Sequence, residues 1–178
     1  MATPDFVLDL REKIGTAPLW LSGVCAVVVR PGPDGGGVGT EDGAGAGASA
    51  GTAADEVLLV KRSDTGAWTP VTGIIDPGEE PAVAGRREVL EEADVEATPE
   101  RLVLVQVTAP VTYDNGDRSQ YLELVFRFRY DSGTPFPADG ENTEARWFSV
   151  DALPAMSEAM MRGVRAALEN RAEAVFAS

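Results

Sequence analysis

The residues best equipped for chemistry lie between Gly73 and Val95, where the chain reads Gly73-Ile74-Ile75-Asp76-Pro77-Gly78-Glu79-Glu80-Pro81-Ala82-Val83-Ala84-Gly85-Arg86-Arg87-Glu88-Val89-Leu90-Glu91-Glu92-Ala93-Asp94-Val95. The segment opens with turn residues and continues as a helix. Pro81 suits a first helical turn, where its missing N–H costs nothing. At helical spacing Glu88 and Glu92 lie one above the other with Glu91 beside them, so three carboxylates are expected to converge. Val83, Val89 and Leu90, with Ala82 and Ala93, are expected to bury the opposite side against a sheet. Like charges at these spacings repel by a few tenths of a kcal/mol per pair, which bound cations would relieve. Hard oxygen ligands at this density suit Mg²⁺ or Mn²⁺. Such a site polarises a pyrophosphate and supplies hydroxide at neutral pH for in-line attack on phosphorus. On spacing alone, a solvated helix face accounts for the same charges.

The balance of charge narrows the partners. Asp and Glu number 29 against 15 Lys and Arg, a formal net charge of -14. That field repels the backbone of DNA or RNA and an anionic membrane surface, so neither a nucleic acid polymer nor a membrane is expected as partner. It would also repel a small phosphorylated substrate unless multivalent cations reversed the local sign. The chain contains no histidine. This excludes a histidine general base, a histidine-paired nucleophile and histidine-bearing zinc sites. The single Cys25, inside the apolar run Val24 to Val29, is expected to be a buried, inert thiol. The first residues lack a signal-peptide pattern and no stretch approaches ~20 apolar residues, so a cytoplasmic protein is expected.

The elements that must position the acidic helix can be read around it. At 178 residues one domain over 1–178 is expected, with 44% hydrophobic and 25% charged residues, as in a packed globular fold. Phe6, Leu10 and Ile14 suggest an amphipathic helix at about residues 4–15, packed as a lid on the sheet and a candidate contact for a homodimer. Val24 to Arg30 and Glu56 to Arg62 read as strands, separated by a Gly- and Ala-rich stretch, 31–55, expected to be a flexible low-complexity loop. Arg101 to Thr108 and Tyr121 to Tyr130 read as further strands, with Asp114-Asn115-Gly116-Asp117 as the turn between them. In the second, Leu122, Leu124, Phe126 and Phe128 form a core face, and Glu123, Val125, Arg127 and Arg129 a polar one, solvated or ion-paired. Arg146 to Val150 gives one more strand, and a last helix begins near Ser157 with Met160, Met161, Val164 and Leu168 as its apolar stripe. There is no regular βαβ alternation and no GxGxxG or GxxxxGK[ST] loop.

The stretch from Gly73 resembles the Nudix box, which runs Gly, five residues, Glu, seven residues, then Arg-Glu-apolar-any-Glu-Glu-any-Gly-apolar. Gly73, Glu79, Arg87, Glu88, Val89, Glu91, Glu92 and Val95 fall in register. The chain is thereby identified as similar to Nudix hydrolases of the MutT and ADP-ribose pyrophosphatase kind, a likeness spanning about Val24 to Leu168. The resemblance implies an α/β (α+β) fold, an α/β/α sandwich around a mixed β-sheet. It implies Mg²⁺-dependent cleavage of the pyrophosphate bond in a nucleoside diphosphate linked to another group, such as ADP-ribose, a nucleotide sugar or a modified dNTP.

The resemblance further implies that Glu88, Glu91, Glu92 and the carbonyl of Gly73 bind metal, that Arg87 orients the neighbouring carboxylates and that Glu79 supports the loop. Glu88 is the expected general base, with Glu141 or Glu144 from a later loop as the alternative. Trp68 is a candidate to stack on a nucleobase, or else a core or rim aromatic. Arg62 is a candidate to reach phosphate, or else ends a strand. One position departs from the pattern: Asp94 stands where the box has Gly, so it is expected to enter the left-handed region at some cost. A non-catalytic nucleotide-sensing module is the competing reading, which the complete set of carboxylates disfavours. A prenyl-diphosphate isomerase of the same fold would need His.

Overall fold

The computed structural model describes residues 3–33 and 54–177. The expected loop over 31–55 therefore lies, but for its ends, outside the described residues. In chain order the elements are α1 (Asp5–Ile14), β1 (Leu19–Arg30), β2 (Glu56–Arg62), β3 (Trp68–Thr69), β4 (Val71–Ile74), α2 (Pro81–Ala93), β5 (Val95–Val107), β6 (Val111–Thr112), β7 (Arg118–Gly133), β8 (Asn142–Ser149), α3 (Glu158–Glu169) and β9 (Val175–Phe176).

The sheet is mixed. Its path runs β3-β2-β1-β7-β5-β9, with β4 beside β1, β6 beside β7 and β8 beside β2. β1 and β7 run parallel in unbroken register from Leu19 opposite Ser119 to Val29 opposite Arg129. The other pairs are antiparallel except β5 with β9. Helices cover both faces, which makes the expected α/β/α sandwich. Ala26 and Val28 of β1 pack with Val89 and Ala93 of α2 and with Phe128. Cys25, Val27 and Val29 pack with Val164 and Ala167 of α3 and with Val125. Two-sided covering explains why β1 reads as a continuous apolar run and not as an alternation. Cys25 is a buried free thiol, as expected.

Several boundaries differ from those read in the sequence. β1 begins at Leu19 because its ladder with β7 carries the chain through Ser22 and Gly23, which interrupt the apolar pattern. β5 begins at Val95 and runs through Pro99 by way of register shifts against β7. The glutamate-rich segment opens on a strand, β4, paired with β1 from Val71 opposite Ala26 to Ile74 opposite Gly23; the turn follows it, at Asp76-Pro77-Gly78. The supposed polar face of β7 is covered by α3: Glu123 and Val125 are buried, and Arg127 donates to Glu100 and to the carbonyl of Ala167. Arg129 pairs with Asp131, so both arginines are ion-paired.

α1 buries Val7, while Ile14 is exposed, so the helix turns a face different from the expected Phe6, Leu10 and Ile14 stripe. The reason is Arg11, which anchors the inward side: its Nη1 donates to the carbonyl of Ala17 (2.7 Å) and its Nη2 to that of Arg118 (2.8 Å). No helix among the described residues is long and apolar enough to cross a membrane.

Candidate active site

α2 turns its acids inward. Its buried residues are Ala84, Gly85, Glu88, Val89, Glu92 and Ala93, whereas Val83 and Leu90 are 58% and 43% exposed. This reverses the expectation that Val83 and Leu90 would meet the sheet. The small residues explain it. A Cβ on Gly85 would stand 2.8 Å from Cζ of Phe128 and 3.2 Å from Cγ2 of Val24, so the helix lies closer to the sheet than a larger side chain permits. One turn further along, Glu88 lies directly over Gly73 of β4, in the space that a Cβ there would fill.

Glu88 is 1% and Glu92 3% exposed. Burial raises both carboxyls to about 7, because desolvation penalises the charged form. For Glu88 the charge of Arg87 opposes this rise and that of Glu92 adds to it. For Glu92 the hydrogen bond from Asn142, 3.0 Å to Oε2, opposes it.

Arg87 ties the cluster together. Its Nε and Nη2 donate to the two oxygens of Glu79, each at 2.9 Å. Its Nη1 donates to Glu88 Oε1 (2.9 Å) and Glu91 Oε2 (3.2 Å). The fork holds Glu79 below its ordinary pKa. Glu79 in turn accepts from the backbone N–H of Asp76 and its own N–H donates to the carbonyl of Asp76, which fixes the turn between β4 and α2.

The far end of α2 is fixed by the chain after β7. The amides of Phe136 and Ala138 donate to the carbonyls of Ala93 and Glu92. Asp94 occupies the left-handed region at φ 53°, ψ 39°, the conformation its place in the sequence requires.

Glu91 does not join the buried pair. Its side chain is 54% exposed and drawn to Arg87. Among the described residues no three acidic or cysteine side chains surround one point as a finished cation cage, although Arg87 Nη1 bridges Glu91 to Glu88. The donor set nevertheless fits a hard divalent cation. Among the described residues the buried Glu88 is met by the Arg87 guanidinium and the buried Glu92 by the neutral Asn142 amide, which leaves carboxylate oxygens suited to a hard cation.

Beside this cluster opens a cleft of about 710 Å³, lined among others by Gly73, Arg62, Glu141, Tyr113, Tyr121 and Glu123. Val7 and Arg11 of α1 form part of its wall, so the helix borders the cleft.

Residues 44–168 match the family model described as NUDIX domain. The chain belongs to the Nudix family. It is 35% identical over 106 residues to the human 8-oxo-dGDP phosphatase NUDT18, covering 56% of this chain and 30% of that protein. It is 33% identical over 107 residues to the NAD-capped RNA hydrolase NudC of Stutzerimonas stutzeri, covering 59% and 36%. The chain thus spans about a third of the length of the curated relatives it matches. Among solved structures it resembles a UDP-X diphosphatase (TM-score 0.59, 18% identity, 99% of this chain and 75% of the other). It also resembles a Nudix hydrolase of Nitrosomonas europaea (TM-score 0.57, 23% identity, 85% and 90%). These likenesses show the fold.

Within the Nudix fold the remaining candidates separate by position. Arg62 lines the cleft, its guanidinium held by both oxygens of Asp64 at 2.9 and 2.6 Å. Trp68 does not line it; the indole packs edge-on against Phe148, with ring centroids 4.8 Å apart. Glu141 lines the cleft. Glu144 does not: it pairs with Lys61 at 3.0 Å and with Arg146. Three positions escaped the sequence reading. Asn142 looks like an ordinary turn residue, yet its amide holds Glu92. Gln106 and Glu123 stand 17 positions apart in different strands, and the β5–β7 register, Gln106 opposite Glu123, brings them together.

Proposed function

We propose that this Nudix chain hydrolyses the pyrophosphate bond of a nucleoside diphosphate linked to another group, with Mg²⁺ as cofactor and Mn²⁺ able to replace it. The observation that carries the reading is the buried pair Glu88 and Glu92, set against Gly73 and tied through Arg87 to Glu79 at the edge of the cleft. A solvated helix face has no reason to bury its acids and expose Val83 and Leu90.

Glu88, Glu91, Glu92 and the carbonyl of Gly73 would hold the metal, which when bound would neutralise the pyrophosphate and polarise the phosphorus under attack. The chain's own residues supply the rest. Glu88, seated against Gly73 at the edge of the cleft, takes the proton from the attacking water. The water oxygen forms a bond to one phosphorus, the bridging P–O bond breaks, and the leaving phosphate departs with the bridging oxygen. Arg87 keeps Glu88 and Glu91 in place, and Glu79 fixes Arg87. Arg62, at the cleft and already oriented by Asp64, contacts substrate phosphate. Glu141 is the alternative base, since it lines the cleft and Glu144 does not.

The net charge of -14 favours a small nucleotide over a nucleic acid polymer. The test is product analysis after incubation with Mg²⁺ and a panel of ADP-ribose, NAD, UDP-glucose, 8-oxo-dGDP and a capped RNA. Cleavage of at least one small member, lost in Glu92→Gln, is expected. Tight nucleotide binding with no cleavage of any member would instead establish a sensing module.

A further inference from the structure

The segment Ala138-Asp139-Gly140-Glu141-Asn142 passes the far end of α2 and enters β8. It meets one residue twice. The amide of Ala138 donates to the carbonyl of Glu92 (3.4 Å), and Nδ2 of Asn142 donates to Glu92 Oε2 (3.0 Å). Between these contacts Gly140 takes a φ of 80°, which lets the chain turn back onto the helix. The approach is fixed from the sheet as well. Asn142 lies opposite Arg62 of β2, where the β2–β8 register shifts between Lys61 and Arg62. Such irregularities re-aim the side chains beside them. The amide of Ser63 donates to the carbonyl of Glu141 (2.8 Å), and that of Glu141 to Asp139 Oδ1 (2.9 Å). Successive side chains of an extended chain point to opposite sides. Glu141 accordingly lines the cleft, whereas Asn142 is buried on Glu92.

The chemistry of this contact is informative. A buried carboxylate needs a donor. Lys or Arg at position 142 would supply one, but would also neutralise the charge that a divalent cation requires. The Asn142 amide supplies a donor without charge, taking one of about four lone-pair sites on the carboxylate and leaving the others. For packing alone, two apolar residues of the same shape would serve these positions about as well. A neutral partner behind a metal-binding side chain instead holds that side chain in one orientation.

We propose that Asn142 is a positioning residue for the metal centre, setting the Glu92 carboxyl for a divalent cation before the cation binds. The inference rests on the reading of Glu92 as a metal-holding residue given above. It adds that affinity for the ion depends on a residue outside the Nudix box, carried on a different element of the fold.

Mn²⁺ alone is the probe, titrated into the full chain and followed by the electron paramagnetic resonance signal of the free ion, so no turnover is needed. Asn142→Ala is expected to weaken Mn²⁺ binding about 10- to 100-fold. In a Glu92→Gln background the same substitution is expected to add less than about 2-fold, because residues that act through one another are not additive. A purely structural amide would lower the melting temperature of Asn142→Ala and leave its Mn²⁺ affinity at the wild-type value. That result overturns the inference, as does an undiminished effect in the Glu92→Gln background. If Asn142→Ala does not fold, Asn142→Ser, whose hydroxyl is too short to reach Glu92, takes its place. The metal reading fails separately: a wild type that binds no Mn²⁺, or a Glu92→Gln protein that binds it as tightly as wild type, removes both. Impaired binding by Glu92→Gln with wild-type binding by Asn142→Ala removes this inference alone.

Discussion

The carboxylate of Glu88 fills the space where a side chain on Gly73 would begin. A strand residue and a helix residue fifteen positions apart are thus fitted to each other, and neither can change alone. Gly73→Ala must push Glu88 off its seat. The expected outcome is a loss of turnover of about 100-fold or more with a destabilisation of about 1–3 kcal/mol, the cost of overpacking a filled interior. Steady-state kinetics and thermal melts on the same preparation check this; a fully active Gly73→Ala protein would show that Glu88 has no fixed role.

Arg87 should be irreplaceable by lysine. Its fork engages both oxygens of Glu79 while its remaining nitrogen reaches Glu88 and Glu91. An ammonium supplies the charge without that geometry. Arg87→Lys is expected to reduce turnover about 10- to 100-fold, mainly in kcat, because the carboxylates lose their common anchor. Comparable kcat values for the two proteins would argue that the anchor is dispensable.

The buried acids give the metal-free protein a distinctive pH dependence. Glu88 and Glu92 titrate near 7 in the fold against an ordinary value of 4.5, and burial also raises Glu123. A raised carboxyl pKa means the folded state binds protons more tightly. Its contribution to stability is complete below about pH 4.5 and is lost as pH rises towards 7. Thermal melts in chelator are expected to fall between pH 5 and 7.5, by up to about 1 kcal/mol per pH unit for each group. Added Mg²⁺ should restore the melting temperature at pH 7.5 and have little effect at pH 5, where protons occupy the ligands. A metal-free melting temperature that rises over this window would contradict the burial of these acids.

Asp94 holds a left-handed backbone that glycine adopts without strain. Asp94→Gly is expected to raise stability by about 0.5–1 kcal/mol, a gain of about 1–4 °C in melting temperature, with turnover unchanged. Differential scanning calorimetry decides the matter, and a drop in melting temperature would mean the Asp94 side chain contributes more than its backbone costs.

Of the two later candidates for a base, only one borders the cleft. Glu144→Gln, which disturbs pairs with Lys61 and Arg146, should leave kcat within about 2-fold of wild type, as partly exposed ion pairs contribute little. If Glu141→Gln lowers kcat far more than Glu88→Gln does, the proton acceptor is Glu141.

The sequence by itself determined the family, the helix that bears the acids, the glycine at 73 and the left-handed residue at 94. These depend on residue type at fixed short spacing, and helical periodicity converts such spacing directly into geometry. It also indicated most strands, because their Val- and Leu-rich runs are local signals. The direction the acidic helix faces was decided only by the tertiary structure. Hydrophobicity alone turns Val83 and Leu90 inward, but the close approach of Gly85 to Phe128 and Val24 turns Glu88 and Glu92 inward instead. The Asn142 amide on Glu92 and the Gln106–Glu123 pair belong to the same class. Each joins residues from separate elements, and sheet register and helix packing, which bring them together, leave no trace in the spacing of either partner.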